Sequence, residues 1–288
     1  MTAITDQVPP AERRRHRRVL SGDLLAGCLL LLPVVIAAYL APLLAPYDPY
    51  AVDTGSRLLP PSAKHLFGTD ELGRDLLTRV LYGTRASLSV AFGIVAIGTV
   101  FGTVVGTLSG YLGGRIDGVA MRLNDIVMAI PFMVIALALT SAMGPSLVNL
   151  TIVIGILSIP FYARMARGMA LALRREPYVT AAWLMGASTP AIIRRHVIPN
   201  MLSPMLVLAS MGLSGAILTS SALSFIGLGA QPPAAELGAI INSSRSYILD
   251  EWWYTLFPGL VLAVCAFGFN LIGDGVRDVL DPNIGGSA

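Results

Sequence analysis

The sequence predicts an all-α integral membrane protein with six transmembrane helices and a short two-helix insertion between the fourth and the fifth. Three observations predict this. Of 288 residues, 55% are hydrophobic and only 13% charged, about half the charge of a soluble globule. Apolar runs long enough to cross ~30 Å of hydrocarbon, about 20 residues each, occur over 23–45, 86–110, 123–143, 146–163, 201–222 and 255–273. The basic residues between these runs fall unequally on the two sides.

The chain divides into a tail over 1–20, a first span with its outer segment over 21–85, a five-helix core over 86–282, and a short end over 283–288. The tail is rich in arginine and proline and reads as a disordered basic segment. Arg13 to Arg18 before an apolar run imitate a secretory signal. The run is too long for one, however, and lacks a small-residue cleavage site, so it reads as a retained helix.

The second span carries Gly98, Gly102, Gly106 and Gly110. A spacing of four puts them on one face, where a neighbouring helix can approach closely. Packing is the favoured reading, with a sliding surface as the alternative. Pro131 and Pro160 interrupt the third and fourth spans, and kinks of this kind are tolerated where neighbours satisfy the freed carbonyls. Asp125 follows Arg122 by three residues, so a local pair is available.

In the fifth span Ser203, Ser210, Ser214 and Ser221 fall within about 40° of one another on a helix. They either pack against a neighbour, the favoured reading because serine is common at such interfaces, or line a hydrated passage. Gly212-Leu213-Ser214-Gly215 imitates an intramembrane serine protease, but that chemistry needs a histidine base within reach. The three histidines, His16, His65 and His196, all lie outside the spans.

With both termini cytoplasmic, fourteen arginines fall inside, against six basic residues outside (Arg57, Lys64, Arg74, Arg79, Arg85 and Arg245). The positive-inside rule favours that orientation. The basic balance is thus a topology signal, and no basic patch with interleaved aromatics suggests nucleic acid. Cys28 and Cys265 fall in apolar spans without metal-ligand spacing. No catalytic residue and no metal ligand is assigned. A phosphate-binding loop requires G-x-x-x-x-G-K-[ST], and the only lysine, Lys64, follows Ala63. Any ATP that drives this chain is handled by a partner.

The insertion runs from Arg174 to Pro199, within a polar segment over 164–200. Pro177 after Glu176 suits a helix start. Tyr178, Ala181, Ala182 and Met185 recur at helical spacing as one apolar face. The turn falls at Gly186. Ser188 and Thr189 offer an N-cap, and Ile192, Ile193 and Val197 line a second helix ending at Pro199. An apolar face on a cytoplasmic segment needs a protein to cover it.

This segment resembles the coupling loop of ABC importer permeases, whose pattern is E-A-A, three residues, Gly, and a proline thirteen further on. Ala181, Ala182, Gly186 and Pro199 match, and Thr180 stands where many members have Glu. Further segments are similar to the C-subunit type of the dipeptide/oligopeptide/nickel permeases. They are His65–Asp75 (HLFGTDELGRD), Ser224–Pro233 (SFIGLGAQPP), Trp252–Leu260 (WWYTLFPGL) and Phe269–Pro282 (FNLIGDGVRDVLDP). Leu66 replaces a usual proline and Leu237 a common tryptophan, so the outer loop is expected to meet its partner differently.

The resemblance implies a multi-pass subunit of the bacterial cytoplasmic (inner) membrane, the insertion being its cytoplasmic two-helix coupling loop between helices 4 and 5. Its implied partners are a homologous second permease, two cytoplasmic ATPase subunits or domains that hold ATP and Mg, and an extracytoplasmic substrate-binding protein received by the loops at 46–85 and 228–254. The implied cargo is short peptides, with nickel as the second choice. Glu176, Tyr178, Thr180, Ala181, Ala182, Met185, Gly186, Ile192 and Pro199 are the expected ATPase-coupling residues. The rival from another class is an ion-gradient-driven secondary transporter, which predicts inverted repeats and buried ionisable groups. No clear repeat is seen, and the centres of the spans lack charge.

Overall fold

The computed structural model describes residues 22–280. The expected tails over 1–20 and 283–288, the arginines from Arg13 to Arg18 and the end of the Phe269–Pro282 segment lie outside the described residues. Among the described residues there is no β-strand. The helices are α1 Gly22–Tyr39, α2 Ala41–Leu44, α3 Leu76–Leu112, α4 Gly114–Ala129, α5 Phe132–Met143, α6 Leu147–Leu173, α7 Pro177–Leu184, α8 Thr189–Ile192, α9 Ile198–Phe225, α10 Leu237–Ser244 and α11 Trp252–Leu280.

Five of the described helices are long and apolar enough to cross a membrane, and six spans result if the α4–α5 pair is one. That pair is bent by 89°, far beyond the kink expected at Pro131. Ile130 is held extended (φ −90°, ψ 134°), because the ring of a following proline disfavours the helical region. Pro131 has no N–H to continue the ladder. Pro160 stays inside the continuous α6.

α3 is longer than its expected span. It begins at Leu76, capped by Asp75, whose carboxylate accepts from the Thr78 N–H at 2.8 Å. At 37 residues it is about 55 Å long, so it projects well beyond ~30 Å of hydrocarbon. The boundary expected at residue 85 therefore falls inside a helix.

α3 and α6 pack closely and run parallel. A methyl group added at Gly98 would lie 2.9 Å from the Tyr162 ring, one at Gly102 2.5 Å from the Tyr162 Cβ, and one at Gly110 2.6 Å from the Arg167 carbonyl. Gly106 likewise faces the Ala163 carbonyl and Ala166. All four glycines thus present bare backbone to α6. α1 is laid antiparallel on α11, where Gly27 meets Ile272 and Gly268 meets Leu31. The core among the described residues gathers Leu88, Ile94, Leu150, Ile154, Ile217 and Phe269 from α3, α6, α9 and α11.

Candidate functional site

Three regions stand out: the 174–199 segment, a cavity at the α4–α5 break, and the loop before α3.

α7 starts at Pro177 after Glu176 and stops in a Schellman turn. The Gly186 N–H reaches the Trp183 carbonyl at 2.9 Å and the Ala187 N–H the Ala182 carbonyl at 3.1 Å. Such a turn places its glycine in the left-handed region, and Gly186 has φ +84°. Nothing lies within 4 Å of where its side chain would be, so the need for glycine comes from the backbone.

The faces of α7 differ from expectation. Val179 and Ala182 turn inward into a buried cluster that also holds Ala166, Ala170, Ile192 and Val197. Tyr178, Thr180 and Ala181 are exposed, while Trp183, Leu184 and Met185 are 63, 72 and 82% exposed. The apolar surface open to a partner is therefore Tyr178, Trp183, Leu184 and Met185. Ala182, expected on that face, belongs to the inner one. Ile192, expected to meet a partner, is 0% exposed and serves as core. Trp183 and Leu184 escaped the sequence reading because an i, i+3, i+4 pattern identifies an apolar stripe without saying which stripe the bundle covers.

Glu176 is exposed at the N-cap position, and its carbonyl accepts from the Val179 and Thr180 N–H groups at 3.1 Å each. Ser188 occupies the cap position of α8 without a side-chain cap bond. Pro199 does not end a helix. A π-helical turn over Ile193–Val197 leads directly into α9, and the Ile198 N–H reaches back to the Ile193 carbonyl. The wider turn absorbs the proline, whose missing N–H breaks the regular ladder.

A cavity of about 420 Å³ lies where the α4–α5 break meets α3, α6 and α9. Its walls include Val95, Pro131, Phe132, Pro160, Tyr162 and Thr219. α9 contributes Gly212, Gly215, Ala216 and Thr219, one face at helical spacing. None of Ser203, Ser210, Ser214 or Ser221 lines it. Ser203 is exposed, Ser210 half-buried with its hydroxyl on the Val207 carbonyl, and Ser214 and Ser221 are buried.

At the other end of α3, the charges of the His65–Asp75 segment turn inward. His65 Nδ1 lies 2.9 Å from Asp75 Oδ1, and the Arg74 Nε donates to Asp70 at 2.6 Å. Arg79 sits 3.2 Å from the same Asp70 carboxylate and donates to the Pro49 carbonyl at 3.1 Å. Tyr254 donates to Glu71. Burial is the main cause that pushes the Glu71 carboxyl above its ordinary range. These residues hold the loop together. Of the two departures in this region, Leu66 is exposed and free to meet a partner, whereas Leu237 is wholly buried and is accommodated inside the fold.

Glu236 is a residue that sequence reasoning missed. It is 1% exposed, accepts from the Ser87 hydroxyl at 2.7 Å and the Ala239 N–H at 2.9 Å, and lies 3.4 Å from the Ser221 hydroxyl. One carboxylate thus ties α3, α9 and the start of α10. Burial raises its pKa against the opposing pull of these hydrogen bonds. The signal available was a glutamate three residues before Ala239 at a helix start.

Asp125 pairs with Arg164 at 2.8 Å, not with Arg122 on its own helix. The reason is the antiparallel approach of α4 to α6, which brings a second-helix arginine within reach. Among the described residues no cluster of His, Cys, Asp and Glu could hold a metal ion.

Comparison with known proteins bears on this arrangement. A family model described as the binding-protein-dependent transport system inner membrane component matches residues 102–286. The chain is 48% identical over 260 residues to a protein named probable D,D-dipeptide transport system permease of Escherichia coli strain K12, covering 90% of this chain and 87% of that one. It is 41% identical over 270 residues to a di/tripeptide transport system permease of Pseudomonas aeruginosa, with 92 and 89% covered. A glutathione transport system permease of Pectobacterium atrosepticum is 39% identical over 272 residues, with 94 and 88% covered. The matched region runs through Gly102, Gly106 and Gly110 of α3, the broken α4–α5 span, the Gly186 turn and most of the cavity lining. The chain belongs to the family of binding-protein-dependent transport system inner membrane components.

Proposed function

We propose that this chain is one of two permease subunits of an ATP-driven ABC importer, and that short peptides are its cargo. The observation that carries the coupling role is the exposed apolar surface of Tyr178, Trp183, Leu184 and Met185 beside the Gly186 turn. A chain without a phosphate-binding loop needs an ATPase partner, and this surface is the one that fits it. Two such ATPases, holding ATP and Mg, dock from the cytoplasm, where the positive-inside rule puts both termini. A substrate-binding protein delivers cargo to the loops around Leu66 and residues 228–254. The ATPases must bind the inward- and outward-facing states unequally, since a partner with no preference shifts nothing.

Short peptides are supported by the names of the relatives, which specify D,D-dipeptides, di/tripeptides and glutathione. The cavity at the α4–α5 break suits such cargo as this subunit's wall of the passage. Its apolar lining offers no fixed charge that would trap one peptide over another.

The test is uptake of a labelled dipeptide into energised cells with and without this chain. Uptake lost on deletion and restored by the intact chain, but not by one with Trp183, Leu184 and Met185 all changed to Ala, is the expected result. Unchanged dipeptide uptake together with lost nickel uptake would overturn the cargo assignment. Full restoration by the triple variant would overturn the docking surface.

A further inference from the structure

We infer that α4 and α6 are zipped into one rigid lever by Asp117, Asn124 and Arg167, and that this zip carries the displacement of the coupling segment to the wall of the cavity. The inference rests on the coupling role proposed for α7 and names the residues that pass its motion on.

The lever begins at α7, whose inner residues Val179 and Ala182 belong to the same buried cluster as Ala166 and Ala170 of α6. Only Arg174 to Glu176 separate the two helices, and Arg174 sits over the Tyr111 ring of α3 at 5.9 Å. A push on α7 is therefore a push on the end of α6.

α4 is tied to α6 at three levels. The Arg167 guanidinium grips Asp117 with two bonds, 2.5 and 2.6 Å. The Asn124 amide donates to the Pro160 carbonyl at 3.0 Å. Arg164 pairs with Asp125 at 2.8 Å. The Ser109 hydroxyl also donates to Asp117 at 2.5 Å, which adds α3 to the same unit. Asp117 and Asn124 are two turns apart on one face of α4, and their partners descend α6 in the opposite sense.

The three ties are not equal. The Arg164 and Asp125 side chains are 51 and 67% exposed, those of Arg167 and Asp117 only 32 and 18%. An exposed pair contributes little, whereas a forked arginine–carboxylate pair fixes both partners' geometry. The weight falls on Asp117–Arg167 and on the buried Asn124.

α4 ends at Ala129, four residues beyond Asp125, and the next two residues, Ile130 and Pro131, are the break and line the cavity. Pro160, which receives the Asn124 amide, lines the same cavity from the other side. The zip thus runs from the coupling end to the cavity wall without a gap. Because α5 leaves at 89°, the lever moves one wall while α5 is free to follow separately.

The test uses the full transporter reconstituted in liposomes, reading peptide accumulated per ATP hydrolysed. Asp117→Asn and Arg167→Lys are expected to lower that ratio by about fivefold or more, with complex assembly and ATP hydrolysis retained. Lysine keeps the charge but cannot fork, so it carries the test if Asp117→Asn impairs assembly. Asp125→Asn is expected to leave the ratio unchanged. A wild-type complex that transports, with the Asp117 and Arg167 variants equal to it, would overturn the inference.

A second readout needs no cargo, so it separates failure of the lever from failure of the peptide assignment. Spin labels on Ile126→Cys and Arg175→Cys, in a chain with Cys28 and Cys265 replaced by Ser, report the spacing of α4 and the coupling segment. That spacing is expected to be the same with and without ATP in the intact zip and to change with ATP in Asp117→Asn. A spacing that already changes with the zip intact overturns the rigid lever.

Discussion

The hydroxyl of Tyr162 on α6 lies against the bare backbone of Gly212 on α9, in the space that a side chain at Gly212 would fill. Both residues line the cavity. Gly212→Ala therefore drives a methyl group into the phenol oxygen, and overpacking of this kind costs about 1–3 kcal/mol. Tyr162→Phe removes that oxygen, and the double variant is expected to recover most of the loss. Thermal unfolding of the purified complex reads this coupling. Strict additivity of the two changes would show that the contact is not tight.

Gly186 separates a backbone requirement from a packing one. Valine at φ +84° is strained, whereas asparagine tolerates the left-handed region. Since the space around Gly186 is open, Gly186→Val should lower transport per ATP hydrolysed severalfold while Gly186→Asn stays near wild type. Equal loss in both would place the defect in the docking contact rather than the turn.

Glu236 holds three helices through one buried carboxylate. Glu236→Leu leaves the buried Ser87 hydroxyl and the half-buried Ala239 N–H without their partner, a loss of about 1–3 kcal/mol for the buried hydroxyl and less for the N–H. The expected outcome is a lowered melting temperature with faster proteolysis at the 228–254 loop. Glu236→Gln keeps one acceptor and should fall between.

Glu71, at the same end of the bundle as Glu236, sets a pH dependence. Its pKa is raised in the folded chain, chiefly by burial, so the folded state takes up its proton more readily than the unfolded one. Protonation at this site therefore favours the fold, and that contribution is lost as pH rises through the raised value. Relative to Glu71→Gln, which mimics the protonated form, the wild type should gain stability as pH falls from neutral through this range. The difference between the two melting curves across pH isolates Glu71 from other carboxylates. A difference that is flat with pH, or of opposite sign, would contradict this.

Ser214 shows where periodicity stops. A stripe of serines at helical spacing identifies a small-residue face, but the bundle decides what that face meets. Ser214 and Ser221 are buried, and the cavity instead takes the face of Gly212, Gly215, Ala216 and Thr219. The same limit governs α7. Its helix, its start at Pro177 and its turn at Gly186 follow from local rules, because capping, proline geometry and left-handed glycine act within a few residues. Whether Ala182 or Met185 faces a partner depends on where α6 lies.

By itself the sequence determined the all-α membrane class, the positions of most spans, the Gly186 turn and the absence of a phosphate-binding loop. Each of these rests on hydrophobic length, local backbone preference or a contiguous motif. Only the tertiary structure decided that Pro131 breaks a span at 89° while Pro160 stays within a continuous helix. It alone turned the charges of His65–Asp75 inward, made Glu236 a hub, and matched Asp117 with Arg167 across 50 residues of chain. These pairings join residues far apart in sequence, and an isolated segment carries no information about which distant partner will satisfy its charge.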